Sequence, residues 1–512
     1  MRRGAMLAAW MVLAAGVAWA RDAVPVARIP LGPLGYQTIL PDILLGGSSM
    51  LTVHFVDADH LLVTFGLRRL MKREPGELPD DGDRIVGAAL VELPSGKLLA
   101  RTEWRLHDRA QYLWELGQGR FLLRVRNQLT VLAPMAAGGA KDAFRETPLL
   151  RADRKIVALL VSASQDLLTL ETTKLVGAET DPVPVQLNFY RLKSTGAGAE
   201  GLTIASAGAI RAHTVVELPM TSGGFLDVIE GGKDRWLFNF DEHTGKVNEL
   251  AEWDTTCAPR ATFVGHAEFV AFGCRGSTEK LDLAGFNLKG EEMWQQSFMD
   301  AHVAPVFAFA PAAGRFALER IVVAGAVDEE APLLENIVRG QEVRVVQSYD
   351  GKLLFRIDCT PVQRAGQNFA LSADGMRLAV MRETLVHHDA TKDYDEYTEH
   401  QAAVEVYALP PLTEKDLAEV KAAEANAPQD TGARIDLSLE RVAAPVAADA
   451  ASGVNAAGDS SAQAAAVATA GAAAAATANS TSAIVLGDPE PGAGRKRPTL
   501  YGPDEKPGSS SR

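Results

Sequence analysis

The chain has 512 residues, of which 47% are hydrophobic, and 65 acids against 51 Lys and Arg give it a formal net charge of −14. Such length and apolar content support a large buried core, and the acidic balance argues against nucleic acid as a partner. Length alone would allow about three domains, but a pattern recurring between residues 50 and 410 favours one large domain followed by a tail.

The first twenty residues are read as a signal peptide. Arg2 and Arg3 precede an apolar run from Met6 to Val17, and Ala18-Trp19-Ala20 supplies the small-x-small cleavage pattern, so the cut is expected before Arg21. A membrane anchor is the alternative, but the run is short of the about 20 residues a spanning helix needs, and polar sequence follows at once. No Cys near the cut supports a lipid-modified N-terminus. The expectation is an exported, periplasmic or extracellular chain with no transmembrane segment once matured. Residues 21–48, punctuated by Pro30, Pro33 and Pro41, form an irregular lead-in, and Gln37 to Leu45 is expected to supply a ring-closing strand.

From there an apolar, β-rich stretch, a polar turn with Gly and a second apolar stretch keep returning. The clearest copy runs from Asn368 through Ser372-Ala373-Asp374-Gly375 to Val380, and a degenerate one from Phe307 through Pro311-Ala312-Ala313-Gly314 to Leu318. Seven units divide the region 49–412, opening near Leu51, Arg120, Ile156, Gly224, Cys257, Val306 and Asn368, although six or eight are compatible with the loosely delimited second and third. Repeated antiparallel hairpins without intervening helices predict an all-β fold, a seven-bladed β-propeller. A second element supports the count: Pro94-Ser95-Gly96-Lys97, His243-Thr244-Gly245-Lys246, Leu288-Lys289-Gly290-Glu291 and Asp350-Gly351-Lys352 each separate two apolar strands. These are expected to be the tight turns before each blade's outer strand, with Gly supplying a positive φ.

The run Ser372 to Val380 resembles the Ser-Pro-Asp-Gly hairpin of WD40-like and TolB-type propellers, with Ala373 in place of Pro, and the Gly-Lys turns resemble more weakly those of quinoprotein-like propellers. The resemblance covers residues 50–410 as architecture, implies a fold, and carries no catalytic residue across. The signature of the classical WD40 repeat, Gly-His followed later in the repeat by Trp-Asp, is not found.

Cys257 and Cys274 flank two stretches that would pair as a hairpin, which brings the two thiols to neighbouring ends. In an oxidising compartment that reads as a disulfide, with two buried thiols as the alternative. Cys359 is left as a small buried hydrophobe. Beyond Pro411, residues 413–427 read as a short charged helix capped by Thr413. Residues 428–512, rich in Ala, Ser and Gly, have too little bulky apolar surface to offset chain entropy and read as a disordered tail. Arg495-Lys496-Arg497 within it is a small basic spot on a solvated tail.

Chemistry is sparse. His387, His388, Asp389, Asp393, Asp395, Glu396, Glu399 and His400 could together hold a divalent metal, but the spacing matches neither a calcium loop nor a helical zinc motif, and an acidic hairpin tip accounts for them. The remaining histidines and Trp104, Trp114, Trp236, Trp253 and Trp294 are scattered along the units, which suits blade packing better than a cofactor floor. No catalytic, cofactor-binding or metal-binding residue and no cofactor is therefore assigned. The expected function is a non-enzymatic binding platform in the cell envelope that meets an unidentified protein or small ligand through propeller loops, foremost the insertions at 71–84, 325–340 and 387–400. The alternative is a metal- or quinone-dependent oxidoreductase with its site in the central channel.

Overall fold

A computed structural model describes residues 23–69, 71–72, 82–136, 142–173, 185–196, 198–212, 218–276, 279–301, 303–325, 327, 332–388, 396–435 and 437. Among these residues the strands form seven four-stranded antiparallel sheets, so the chain is a seven-bladed β-propeller. Blades 1 to 6 take consecutive segments: 51–106, 113–151, 155–212, 220–254, 260–301 and 306–359. Blade 7 takes its three inner strands from 369–408 and its outermost strand from Ala27–Pro30, near the other end of the chain.

Burial explains why the strand sequences look as they do. The second strand of blade 1 (His60–Leu67) is covered on both faces by neighbouring blades and is apolar almost throughout, whereas its outer strand (Leu98–Leu106) alternates wet and dry positions. The core is accordingly a series of layers between successive blades. Val86, Trp104 and Phe121 fill the layer between blades 1 and 2, and Phe238, Phe269 and Phe286 that between blades 4 and 5.

Ring closure departs from the expectation. Residues 37–45 supply no strand; they hold the short helix Pro41–Leu45, opened by a proline whose missing N–H costs nothing at a first helical position. The closing strand is Ala27–Pro30, in register Ala27 with Val406 and Ile29 with Val404. Ala27 and Ile29 are buried while Arg28 and Pro30 face solvent, and Pro30 is tolerated because this strand is an edge.

The four Gly-centred turns all join a third strand to an outer strand, as expected, and Gly96, Gly245, Gly290 and Gly351 all have positive φ. Two of them also allow one blade to press on the next. A Cβ on Gly290 would lie 2.1 Å from the Leu250 carbonyl oxygen of blade 4, and one on Gly351 would lie 2.6 Å from the Trp294 ring of blade 5. Trp294 is held there by its Nε1–H, which donates to Ser348 O at 2.7 Å. Gly351→Ala is expected to cost about 2–4 kcal/mol, through a strained φ and displacement of the indole. Chemical denaturation followed by tryptophan fluorescence would check this, and a change below about 0.5 kcal/mol would contradict it.

The hairpin at Ser372 has a second copy that the sequence conceals. In blade 7, Ser372 N–H donates to Arg377 O at 2.9 Å, and Ser372 Oγ accepts from the N–H groups of Met376 and Arg377. In blade 3, Ser162 N–H donates to Leu167 O at 2.9 Å, and Ser162 Oγ accepts from Asp166 and Leu167. Gln165, at φ 60°, stands where blade 7 has Gly375 at φ 65°. A glutamine in a left-handed position hides the turn from composition-based reading.

A disulfide joins Cys257 to Cys274, and Cys359 is buried with a free thiol that burial pushes well above its ordinary pKa. The helix beyond the propeller spans Glu414–Asn426. Thr413 caps it, its side chain accepting from Asp416 N–H while Asp416 accepts from the Thr413 N–H. The expectation of a disordered tail from residue 428 is corrected at its start: residues 428–435 and 437 dock on the ring, and 438–512 lie outside the described residues.

Candidate binding faces

In each blade the chain runs antiparallel from the inner strand outward, so turns between first and second and between third and fourth strands open on one face. Loops between second and third strands open on the other. The insertions at 71–84, 325–340 and 387–400 all fall between second and third strands, of blades 1, 6 and 7. Those blades are neighbours, sharing one core layer that includes Val53, Val343 and Val404. The strand ends that flank these three insertions, far apart in sequence, therefore lie side by side on one face of the ring. They contain fourteen acids against five Lys and Arg.

The described groups of the His-rich insertion meet in pairs. Across the blade 7 hairpin, His388 Nε2 meets Glu399 Oε2 at 3.1 Å, His387 Nε2 meets Glu396 Oε1 at 3.0 Å, and His400 Nδ1 meets Glu383 Oε1 at 3.2 Å. These are exposed pairs of small energetic weight. Asp389, Asp393 and Asp395 lie outside the described residues, and among the described residues no cluster of three or more His, Cys, Asp or Glu could hold a metal. The other histidines also disperse: His54 meets Glu115, His60 meets Asp57, His107 meets Asp83, and His266 meets Glu424. Of the five tryptophans from Trp104 onward only Trp114 lies on an inner strand, Leu113–Glu115, and the rest pack between strands farther out.

The opposite face carries a feature that sequence reading missed. After the third strand of blade 7 (Tyr397–Ala408), the chain runs back over blades 6, 5, 4 and 3 as a strap. Asp416 accepts from Tyr349 Oη at 2.8 Å, and Lys415 lies over the Tyr349 ring. Val420 covers Gly314 of blade 6, His266 of blade 5 stands 4.0 Å from Glu424, and Pro428 packs on Gly223 of blade 4. The strap ends on blade 3, where Arg191 binds Asp430 with two N–H groups: Nε donates to Oδ2 at 2.6 Å and Nη2 to Oδ1 at 2.8 Å. The same guanidinium donates to Ala433 O at 2.6 Å, and Ile435 N–H donates to Ala207 O at 2.7 Å. Ile435 and Leu437 are buried between blades 3 and 4. A signal was present in the sequence: Ile435 and Leu437 alternate with polar residues within an otherwise Ala-rich stretch, a strand pattern too short to weigh against its composition.

Charges make this clasp sensitive to acid. The Arg191 guanidinium holds the Asp430 carboxyl below the usual carboxylate range. His243, in the outer turn of blade 4, is buried beside it with neither ring nitrogen in a hydrogen bond, Asp430 Oδ1 standing 3.7 Å from Nδ1. Burial lowers the His243 pKa more than nearby Asp430 and Asp166 raise it, while Arg191 lowers it further. Asp166 is itself fixed by the hydroxyls of Ser162, Ser164 and Ser222 at 2.8, 2.6 and 2.5 Å. A lowered histidine pKa means the unfolded or undocked chain takes up the proton first, so stability is lost as pH falls below about 6.5. Asp430's contribution, present above about 4, is lost at still lower pH. Proteolysis of the strap is expected to accelerate between about pH 7.5 and 5.5, and His243→Gln is expected to flatten that rise. Equal profiles for the two proteins would refute it.

Neither family models nor curated proteins match this sequence. Solved structures that match this chain include the β-propeller domain of the Trilobed protease from Pyrococcus furiosus, at 9% identity, covering 72% of this chain and 99% of that one with a TM-score of 0.36. A putative TolB from Agrobacterium tumefaciens covers 61% of this chain and 94% of its own at 10% identity and TM-score 0.31. Chaetomium thermophilum Sqt1, solved with the N-terminus of ribosomal protein L10, covers 76% and 100% at 11% identity and TM-score 0.38.

Proposed function

We propose that this protein is an exported, non-enzymatic binding platform whose acidic face captures a partner protein with a basic surface. One observation carries the reading: the three insertions leave consecutive blades 6, 7 and 1 on the same face, and they hold fourteen acids against five basic residues. A rigid ring that concentrates like charge on one face steers an oppositely charged partner and fixes its orientation. The signal-peptide pattern at 1–20 and the Cys257–Cys274 bond support an oxidising compartment outside the cytoplasm.

Native mass spectrometry of the protein from its own host's envelope fraction tests both halves. The expected species begins at Arg21 and carries a stoichiometric polypeptide that dissociates as salt rises from about 0.1 M to about 1 M. A chain retaining Met1 in the cytoplasm overturns export. A bound metal or chromophore whose removal unfolds the protein overturns the platform reading in favour of an enzyme working in the channel.

A further inference from the structure

The strap's last residues are held as a recognition domain holds a peptide. The outer strand of blade 3 (Leu202–Ala212) is the longest outer strand among the described residues, and its free edge offers unpaired backbone groups. A bulge opposite Phe189 and Tyr190 leaves Ala207 without a cross-strand partner. The Ala207 carbonyl is turned outward, where it accepts from Ile435 N–H at 2.7 Å. Next to it, a Cβ on Gly208 would lie 2.3 Å from Ile435 O, so only a bare backbone admits the incoming chain. Arg191 reads a carboxylate five residues upstream with a two-pronged grip. Ile435 and Leu437 enter a gap that includes Phe189, Ala207, Met220 and Phe225. A cleft of about 400 Å³, bordered by Arg191, Arg434 and residues 206–209, stays open beside the seated segment.

A backbone bond to a strand edge, a charged anchor and an apolar gap that takes alternate side chains are elements of β-strand addition. We infer that the edge of blade 3 is a docking groove for an extended segment of a partner protein, with an acid followed by aliphatic residues five and seven positions later, and that residues 428–435 and 437 occupy it in the resting state. Tethering gives the chain's own segment an effective concentration on the order of millimolar. A partner therefore enters when it is locally concentrated or when the strap has loosened. This groove lies on the face opposite the acidic insertions, so its use is independent of the platform reading.

The test uses the full chain with Ile435→Asp and Leu437→Asp, which detaches the strap and leaves the ring unchanged. A labelled peptide of sequence 428–437 is expected to bind this variant at least about tenfold more tightly than wild type, because the tethered competitor is gone. Adding Arg191→Ala or Gly208→Ala, or using the Asp430→Asn peptide, is expected to weaken binding by about tenfold or more. In the wild type, excess peptide is expected to speed hydrogen exchange at 428–437 as the strap is displaced, a readout that needs no variant. Absence of peptide binding by the folded detached-strap variant, or binding indifferent to Arg191 and Gly208, overturns the inference. Wild-type dimers formed by exchanged straps would assign the groove to a second copy and overturn the partner assignment. Either result leaves salt-sensitive capture at the acidic face unaffected.

Discussion

Ile29→Ala is expected to destabilise the protein by about 2–5 kcal/mol, although Ile29 belongs to a strand of only four residues near the start of the chain. Ile29 is 1% exposed. It shares a core layer with Leu31, Val404 and Tyr407 and packs against Gly96 in a turn of blade 1. Its strand is also held by backbone bonds on either side, Val26 N–H to Val406 O at 2.7 Å and Leu31 N–H to Ala402 O at 2.9 Å. Deleting 23–31 would leave blade 7 with an unpaired edge and open the contact with blade 1, so cooperative unfolding is expected to be lost. The exposed neighbour is the control: Arg28→Ala removes one surface ion pair to Glu405 and is expected to change stability by less than about 0.5 kcal/mol. Urea titration of the variants decides it, and an Ile29→Ala protein as stable as wild type would show that the ring does not depend on its closing strand.

Neutralising Glu319 is expected to stabilise the protein increasingly as pH rises. Glu319 lies on the second strand of blade 6 (Arg315–Val323), is 1% exposed, and its Oε1 has no hydrogen-bond partner. Burial pushes its carboxyl well above the usual range, and a hydrogen bond with Gln341 offsets only part of this. Gln341 cannot turn to do more, because it exchanges two hydrogen bonds with Asn368 and accepts a third from Gln363 N–H. A raised pKa means the folded state holds a proton that the unfolded chain has released. Its stabilising contribution is full below about pH 4.5 and is lost as pH rises toward the folded pKa. The wild type is therefore expected to lose up to about 1.4 kcal/mol per pH unit in that window relative to Glu319→Gln, in which the group no longer titrates. Denaturant midpoints measured across pH 4 to 9 (values taken roughly a unit apart) check this, and parallel profiles would exclude a buried neutral acid.

What was legible in the sequence follows the range of the interactions. The hairpin at Ser372 and the four Gly turns could be read because their hydrogen bonds close within about five residues and demand particular residue types. The helix at Glu414–Asn426 could be read from its cap for the same reason. Blade 3 was harder, because Gln165 fills a left-handed position that composition assigns to glycine. The acidic insertions were visible as charge. That the strand ends carrying them share one face was not, because it depends on blades 6, 7 and 1 being neighbours.

The sequence by itself determined that the chain builds blades, their turns and the apolar runs that become strands buried on both faces, and it favoured seven blades without excluding six or eight; the closed ring fixed seven. Only the tertiary structure decided how the ring closes, where the strap docks and which acid is buried with an oxygen left without a partner. Ala27–Pro30 pairs with residues near 404, Asp430 meets Arg191, and Glu319 is sealed in by neighbours from blades 6 and 7. Each depends on groups brought together by the closed ring, whose desolvation and edge pairing no local stretch of chain encodes.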